Sequence, residues 1–284
     1  INSGENFHTI LRDYQQKGVN WLYFLYSLGF GACLADDIGL GKTVQIIALF
    51  NHLRKNTDAN IPNLLIAPAS LISNWMKELK KFAPELSFYI AHPSENSEFN
   101  QNINTEIFNK FQLTITSYSF LHRYFNVFDI EWNCIILDEA QAIKNSNTQQ
   151  TKSVKKLNAK RKIILTGTPI ENRLSDLWSL FDFLNPGLLG TSKEFKSFIV
   201  ELQKYSEGYA RLKNTIAPFI LRRLKTDKSI ISDLPEKIEM KVYSDLTKKQ
   251  IVIYSNFVEE LKNKLELSND NIGRKGLILS SLMK

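Results

Sequence analysis

Eight consecutive residues, 36–43, constrain the fold of this chain more than any other segment. They read Asp-Asp-Ile-Gly-Leu-Gly-Lys-Thr, follow the short apolar run 32–35, and precede an amphipathic stretch that begins at Val44. Glycines allow the backbone to turn its N–H groups towards an anion, and a helix that starts directly after them points the positive end of its dipole at the same place. The segment therefore predicts a strand, a phosphate-binding loop and a helix, in that order.

The loop departs from the general pattern at one position. Phosphate loops usually read Gly-x-x-x-x-Gly-Lys-Ser/Thr, and Asp36 occupies the first glycine position here. An ordinary strand-to-helix turn is the alternative interpretation, since short motifs also match by chance. In a phosphate loop, Lys42 contacts the β- and γ-phosphates of a nucleotide and the Thr43 hydroxyl binds Mg²⁺.

Composition and charge fit a globular protein with a polyanionic partner. The 284 residues are 43% hydrophobic and 23% charged. No apolar run reaches the ~18 residues that a membrane-spanning helix needs. The net charge is +7, with a basic excess after residue 140 and an acidic excess before it. This distribution suggests a polyanionic partner such as nucleic acid, and a solvated basic surface explains the charge equally well.

The cysteines and histidines do not show the spacing of a metal site. Cys33 and Cys134 each lie in an apolar run, so we expect two buried free thiols in a reducing compartment. The four histidines are scattered along the chain. The first residues lack the features of a secretory signal, so we expect an intracellular protein, in the cytoplasm or with the nucleoid or nucleus.

Short apolar runs alternate with helical patterns over the first 170 residues. The runs typical of buried strands are 32–35, 63–67, 88–91, 113–116, 134–137 and 162–166. The helical patterns between them are 43–54, 71–82, 105–111, 119–124 and 146–157. This alternation predicts an α/β fold with a parallel sheet between helices, in which ligands bind beyond the carboxyl ends of the strands.

Helical patterns dominate beyond residue 170. They are 174–185, 195–202, 209–216 and 247–267. The last has an apolar face of Ile251, Tyr254, Val258, Leu261 and Leu265. Alternation at 237–243 predicts a further strand. Because the chain starts without Met and stops inside the apolar stretch 277–283, we expect a piece of a longer protein; a natural docked C-terminal helix is the alternative.

Two acidic residues follow the apolar run 134–137. At the end of a strand, Asp138 can hold Mg²⁺, and Glu139 can orient and deprotonate a water molecule. A solvated pair of acids at a strand end is the alternative interpretation. The two acids lie about a hundred residues after a phosphate loop in an α/β pattern, and this position favours the catalytic interpretation.

The apolar run 162–166 also ends in small polar residues. Thr166, Gly167 and Thr168 precede Pro169 there. Such a segment can sense the γ-phosphate and move a neighbouring element, although a simple turn explains the string equally well.

Together the motifs resemble the ATPase motor of the Swi/Snf family, within the superfamily-two helicase-like translocases. Residues 36–43 match the family's first motif, with Asp37 in place of its Glu, and the family itself lacks the first glycine. Residues 138–141 resemble its DEAH-like box, with Gln141 in the last place. Residues 165–169 are similar to its third motif.

Further segments extend the resemblance over nearly the whole chain. They are 11–22 (the upstream Q segment), 64–75 (motif Ia), 116–118 (motif Ib), 172–178 and 184–186 (after motif III), and 219–223 and 233–237 (before the second lobe). The resemblance implies a nucleotide site formed by Gln15, Asp37, Gly39, Leu40, Gly41, Lys42, Thr43 and Val44. It implies catalytic roles for Lys42, Asp138 and Glu139. It implies Mg²⁺ at Thr43 and Asp138, nucleic-acid contacts at Ser70, Asn74, Thr116 and Ser117, and coupling through Thr166, Gly167 and Thr168.

The resemblance also implies one lobe of a two-lobed motor with ATP in the cleft. Residues 1–180 would form the first RecA-like, ATP-binding lobe, 181–235 a helical insertion and return to it, and 236–284 a linker and helical extension towards an absent second lobe. The family's arginine fingers come from a late Gln-x-x-Arg-x-x-Arg motif, which this sequence lacks. Arg222 and Arg223 have the wrong spacing and are interpreted as a helix-end or surface pair. We therefore expect the chain alone to bind ATP weakly and hydrolyse it very slowly.

The function implied by the resemblance is Mg²⁺-dependent ATP hydrolysis coupled to translocation on duplex DNA and remodelling of protein–DNA complexes. The expected partners are duplex DNA, held through its backbone, and DNA-bound proteins, with no membrane and a monomeric state. A related motor on another substrate, such as an RNA helicase or a restriction-enzyme motor subunit, is one alternative; the helical insertion after Pro169 favours Swi/Snf. A non-catalytic DNA-binding or scaffolding module is another; the joint presence of Lys42, Thr43, Asp138 and Glu139 argues against it.

Overall fold

A computed structural model of the chain describes residues 6–54, 61–94, 104–168, 174–202, 207–227 and 245–267. By its internal contacts the chain divides into two compact units, Ile1–Leu234 and Pro235–Lys284. The predicted strand at 237–243 and the apolar stretch at 277–283 lie outside the described residues. No helix within the described ranges is long and apolar enough to cross a membrane.

A parallel sheet organises the first unit. Its strands are β1 (Ala32–Leu34), β2 (Asn63–Ala67), β3 (Phe88–Ile90), β4 (Leu113–Ser117), β5 (Glu131–Leu137), β6 (Asn158–Leu165) and β7 (Ile220–Leu221). In the described part of the chain these seven strands run in the order β3-β4-β2-β5-β6-β1-β7, and every neighbouring pair is parallel. Their carboxyl ends therefore lie along one edge of the sheet, which is the expected place for a ligand.

Helices connect the strands and follow them. In the first unit they are α1 (Asp13–Leu28), α2 (Lys42–Leu53), α3 (Ala69–Phe82), α4 (Tyr118–Arg123), α5 (Phe125–Phe128), α6 (Gln149–Lys156), α7 (Leu174–Leu184), α8 (Ser192–Leu202) and α9 (Glu207–Ile216). Among the residues that the structure describes, three short 3₁₀ segments occupy Thr105–Lys110, Ala140–Ile143 and Ala217–Phe219. In the second unit, α10 spans Lys248–Leu267, and its Ile253 and Tyr254 are exposed.

Both faces of the sheet are buried, which is why its strands read as unbroken apolar runs. Alternate residues along a strand point to opposite faces. Leu65 and Ile136 pack in a core with α1, α2 and α3, whereas their neighbours Leu64 and Ile135 pack in a second core with α4, α6 and α7. The α/β prediction, a parallel sheet between helices, is confirmed.

Two strands begin earlier than predicted, because their first residues are polar and the prediction relied on apolar runs. β5 and β6 begin three and four residues earlier than the apolar runs that marked them. In β5 the buried Asn133 is accommodated because its amide donates to the Tyr26 hydroxyl and to Asn63 Oδ1, both at 2.9 Å. β7 was not predicted, since two residues give no recognisable alternation.

The helices α7, α8 and α9 enclose a third apolar cluster, centred on Leu177, Phe181 and Phe195. In sequence this cluster lies between β6 and β7, and most of its residues fall within 181–235, where a helical insertion was expected. α7 passes through residue 180, where one predicted boundary lies. The domain boundaries stay predictions.

Candidate nucleotide site

The predicted phosphate loop connects β1 to α2. Gly39 and Gly41 adopt φ angles of 85° and 80°, in the left-handed region that side chains disfavour. Gly41 is the residue before the first turn of α2, and a Cβ on it would lie 2.5 Å from Gln15 Nε2. Glycine is required here both for the backbone angle and for the close approach of α1.

The two side chains expected to act on phosphate and metal begin α2. Lys42 Nζ donates to the carbonyl oxygen of Asp36 at 2.8 Å, so the ammonium group lies across the loop. Thr43 follows in the first helical turn, and both residues are partly exposed. Left-handed glycines, an ammonium group and a helix N-terminus together form a cradle that suits a polyphosphate.

The Q segment supports this loop from α1. Gln15 Nε2 and the Tyr14 hydroxyl both donate to the carbonyl oxygen of Leu40, each at 3.2 Å. The side chains of Leu40 and Val44 are buried. The Leu40 and Val44 side chains therefore anchor the loop in the interior, and only the backbone groups of these two residues are available to a nucleotide.

Asp138 lies at the carboxyl end of β5, on the same edge of the sheet as the loop. Its Oδ2 accepts a 2.7 Å hydrogen bond from Trp75 Nε1, and its Oδ1 accepts one of 2.9 Å from the Glu139 amide. Burial raises the pKa of the Asp138 carboxyl, while the Trp75 hydrogen bond and the positive charge of Lys42 act in the opposite direction. The structure therefore brings Lys42 and Asp138 into one site.

Glu139 has an unusual backbone conformation. Its φ of 50° lies in the left-handed region, which a residue other than glycine adopts at a cost of about 1–3 kcal/mol. Its carboxylate accepts a hydrogen bond from Gln141 Nε2. Such strain is common where a side chain must be aimed at a ligand, and here it directs a carboxylate next to Asp138.

The third motif is hydrogen-bonded to Gln141, the residue that holds the Glu139 carboxylate. Thr166 donates its hydroxyl hydrogen to Gln141 Oε1 at 3.1 Å and accepts one from the Thr168 amide at 3.1 Å. A Cβ on Gly167 would lie 3.4 Å from Ile38 in the phosphate loop. Residues of three motifs, far apart in sequence, thus lie in contact.

The four residues expected to contact nucleic acid fall into two groups. Ser70 and Asn74 are exposed on α3, where Asn74 Nδ2 donates to Glu78 Oε1 at 3.0 Å. Thr116 and Ser117 are buried at the end of β4. The Thr116 hydroxyl donates to the Ala91 carbonyl oxygen, and the Ser117 hydroxyl accepts from the Phe120 amide to cap α4. The second group does not offer its hydroxyls to a ligand in this structure.

Several residues of the site were missed from the sequence. The interpretation of Arg222 and Arg223 as a surface pair is wrong for Arg223, which is 6% exposed and pairs with the fully buried Asp36. Trp75 and Tyr118 also hold Asp138, one through its carboxylate and the other through its carbonyl oxygen. An arginine close to an apolar strand was the only sequence signal for the ion pair.

Comparison with known proteins connects this site to a family. A family model described as "SNF2-related domain" matches residues 14–284. The Putative ATP-dependent helicase/translocase YwqA of Bacillus subtilis is 40% identical over 98% of this chain. The TATA-binding protein-associated factor mot1 of Schizosaccharomyces pombe is 36% identical over 92% of it. The chain spans only 30% and 14% of the length of these two relatives.

A solved structure shows the same architecture. It is described as the Sulfolobus solfataricus SWI2/SNF2 ATPase core in complex with dsDNA, and it is 47% identical to this chain with a TM-score of 0.74. The match covers 98% of this chain and 58% of that one.

Proposed function

Because the chain belongs to the SNF2-related family, we propose that it is the ATP-binding lobe of a DNA-dependent ATPase that translocates on duplex DNA and remodels protein–DNA complexes. The observation that supports this best is that Lys42 and Asp138 lie at one edge of the sheet, close enough for the Lys42 charge to oppose the rise that burial causes in the pKa of the Asp138 carboxyl. A phosphate-binding cation and a metal-binding carboxylate are the two groups that nucleotide hydrolysis needs together.

The side chains present suit ATP and Mg²⁺. The backbone amides of the loop and Lys42 would hold the β- and γ-phosphates, and Gln15, which contacts the loop at Leu40, would read the base. The Thr43 hydroxyl and an Asp138 carboxylate oxygen are the hard oxygen ligands that Mg²⁺ prefers. When bound, the metal neutralises charge on the phosphates.

Glu139 is the residue that we assign to the attacking water. Its carboxylate is the partly exposed member of the acidic pair, whereas Asp138 is buried and bonded to Trp75. Gln141 orients that carboxylate, so it is positioned to accept a proton from water near the terminal phosphate.

Nucleotide binding is tested with Lys42→Ala. We expect the affinity for a fluorescent ADP analogue with Mg²⁺ to be lost while the thermal unfolding transition is largely kept, because the ammonium group is partly exposed and the buried Asp138 carboxylate keeps its hydrogen bonds from Trp75 and the Glu139 amide. Lys152→Ala, which removes an exposed lysine from α6, is the matched control and should bind as the unsubstituted protein does. Unchanged affinity in Lys42→Ala contradicts the assignment of the loop.

We propose duplex DNA as the substrate because the similar solved structure is a complex with dsDNA and because Ser70 and Asn74 are exposed. The whole protein should therefore hydrolyse ATP faster with duplex DNA than with single strands or RNA. DNA affinity should fall steeply with salt, since backbone binding releases counterions. Ser70→Ala with Asn74→Ala should weaken DNA binding and leave nucleotide affinity unchanged. Stronger stimulation by RNA would instead support an RNA-dependent motor.

The catalytic arginine of this motor is proposed to come from outside residues 1–284. In related nucleotide hydrolases such an arginine contributes about 10³–10⁵ in turnover. The chain of 284 residues should therefore hydrolyse ATP very slowly compared with the longer protein that contains both lobes. A rapid DNA-stimulated rate from the short chain contradicts this part of the proposal.

A further inference from the structure

A buried ion pair fixes the start of the phosphate loop. Asp36 is fully buried and Arg223 is 6% exposed, although 187 positions separate them in sequence. Arg223 Nε donates to Asp36 Oδ1 at 2.8 Å, and a terminal guanidinium nitrogen donates to Oδ2. The Arg223 backbone amide also donates to Oδ1, at 3.2 Å. Both carboxylate oxygens of Asp36 are therefore held by one residue.

The same guanidinium group connects two helices to the loop. It donates to the carbonyl oxygen of Tyr14 in α1 and, at 2.8 Å, to Gln45 Oε1 in α2. Gln45 Nε2 closes the network by donating to Asp36 Oδ2 at 3.2 Å. Gly18 makes room for it, because a Cβ there would lie 2.8 Å from the Arg223 guanidinium. The network thus joins the helix that carries Gln15 to the helix that carries Lys42.

The segment around Arg223 also follows the loop along its backbone. The Ala35 amide donates to the Leu221 carbonyl oxygen at 2.7 Å, and the Asp37 amide donates to that of Arg223 at 3.1 Å. The Lys225 amide then donates to Asp37 Oδ2 at 3.1 Å. We call residues 220–225 the strap, since they extend β7 alongside the phosphate loop.

Resting on the proposed function, we propose that Arg223 is the positioning residue of the phosphate loop and that the strap responds to nucleotide. Asp36 stands where other phosphate loops have glycine, and Arg223 holds its carboxylate in the interior. The Asp36 carbonyl oxygen, by contrast, accepts the Lys42 ammonium hydrogen bond. The ion pair therefore sets the position from which Lys42 reaches a phosphate.

The physical cost of the pair supports a specific role. Two buried charges lose their hydration, and well-packed apolar residues of similar size often replace such pairs without loss of stability. Stability alone therefore gives little reason for this pair. If the pair holds the loop for phosphate, nucleotide binding and order in the strap must strengthen each other, because such coupling is reciprocal.

Amide hydrogen exchange on the unsubstituted whole protein tests the response of the strap. With the ADP analogue and Mg²⁺ bound, exchange of the Arg223 and Lys225 amides should slow, because both donate to carboxylates of the loop. If nucleotide binds and the exchange rates of these two amides stay the same, the proposed response of the strap is wrong. This readout needs no substitution, so it does not depend on whether a variant folds.

Variants of the whole protein test the positioning role. Arg223→Met leaves a buried carboxylate unpaired and is expected to destabilise the fold, so the decisive variant is Asp36→Leu with Arg223→Met, which removes both charges. It should unfold cooperatively and bind DNA normally without nucleotide, yet bind the ADP analogue about tenfold more weakly. Arg223→Lys, which keeps Asp36 and a positive charge beside it, should bind the ADP analogue more tightly than the double variant does and more weakly than the unsubstituted protein. Arg222→Ala, at the exposed neighbour, should behave as the unsubstituted protein.

The outcomes separate this inference from the proposed function. A folded double variant with unchanged nucleotide affinity overturns the role of Arg223, even if Lys42→Ala has lost binding as expected. A protein that binds no nucleotide before any substitution overturns the proposed function itself. A double variant that loses DNA and nucleotide affinity together shows a purely structural pair and also contradicts the positioning role.

Discussion

The Thr166 hydroxyl donates a 3.1 Å hydrogen bond to the side-chain carbonyl of Gln141. Gln141 in turn donates to the Glu139 carboxylate, so a single glutamine amide lies between the third motif and the acidic residue assigned to catalysis. A movement of the Thr166 segment is therefore expected to change the orientation of that carboxylate. This hydrogen-bond chain is a physical route by which the third motif can act on hydrolysis, and the coupling role of Thr166 stays a prediction.

Thr166→Val should slow ATP hydrolysis and leave nucleotide affinity unchanged. The substitution keeps the side-chain shape and removes the hydroxyl that donates to Gln141 and accepts from the Thr168 amide. The hydrogen bond to Gln141 is worth about 0.5–1.5 kcal/mol. We expect kcat of the whole protein to fall about two- to tenfold. Thr114→Val is the matched control, since Thr114 is equally buried but lies in β4, away from this chain of hydrogen bonds. Equal rates in both variants would show that Gln141 does not need Thr166.

Glu139→Gln should separate binding from hydrolysis. The amide cannot take a proton from water, and removal of a general base typically costs about 10²–10⁴ in rate. Nucleotide affinity should be kept, because Lys42, Thr43 and Asp138 remain. Steady-state ATPase measurements and a binding titration on the same sample test this. Normal hydrolysis by the variant would move the catalytic role to another residue.

The sequence predicted the framework of the fold well because the framework depends on local patterns. Buried parallel strands give continuous apolar runs, and each of the six runs predicted as strands overlaps one strand of the sheet, β1 to β6. The family resemblance read from the motifs is confirmed over residues 14–284. The order of the motifs and the residues in them identify the family, and no knowledge of three-dimensional contacts is needed for that.

The sequence did not predict the contacts that hold the site together. The ion pair of Asp36 and Arg223 joins residues 187 positions apart, and no periodicity marks such a pairing. The burial of Thr116 and Ser117 was missed for a related reason, since small hydroxyl residues read as surface contacts until their partners are known. Both failures concern polar groups whose hydrogen bonds form only in the folded chain.

Two neighbouring threonines of β4 should respond in opposite ways to replacement by valine. Thr114 Oγ1 is buried and lacks a hydrogen-bond partner among the described residues, so Thr114→Val should raise the free energy of unfolding by about 1 kcal/mol. Thr116 Oγ1 donates to the Ala91 carbonyl oxygen at 2.9 Å, so Thr116→Val should lower it by about the same amount. Urea denaturation of the two variants measures both changes. Changes of equal sign would contradict the assigned hydrogen bonding.

The two cysteines should be unreactive in the native protein. Cys33 and Cys134 are free thiols in β1 and β5, and burial raises the pKa of Cys33 to about 12 and that of Cys134 further. Since the thiolate is the nucleophile, at pH 8 Cys33 should present about a thousandfold less thiolate than an exposed cysteine. Reaction with a disulfide reagent should therefore be very slow below the unfolding transition and complete for both thiols in denaturant. Because the pKa is raised, the native rate should increase as the pH rises towards 12. Rapid native labelling of either thiol at pH 8 would mean that its strand opens far more readily than the packed sheet implies.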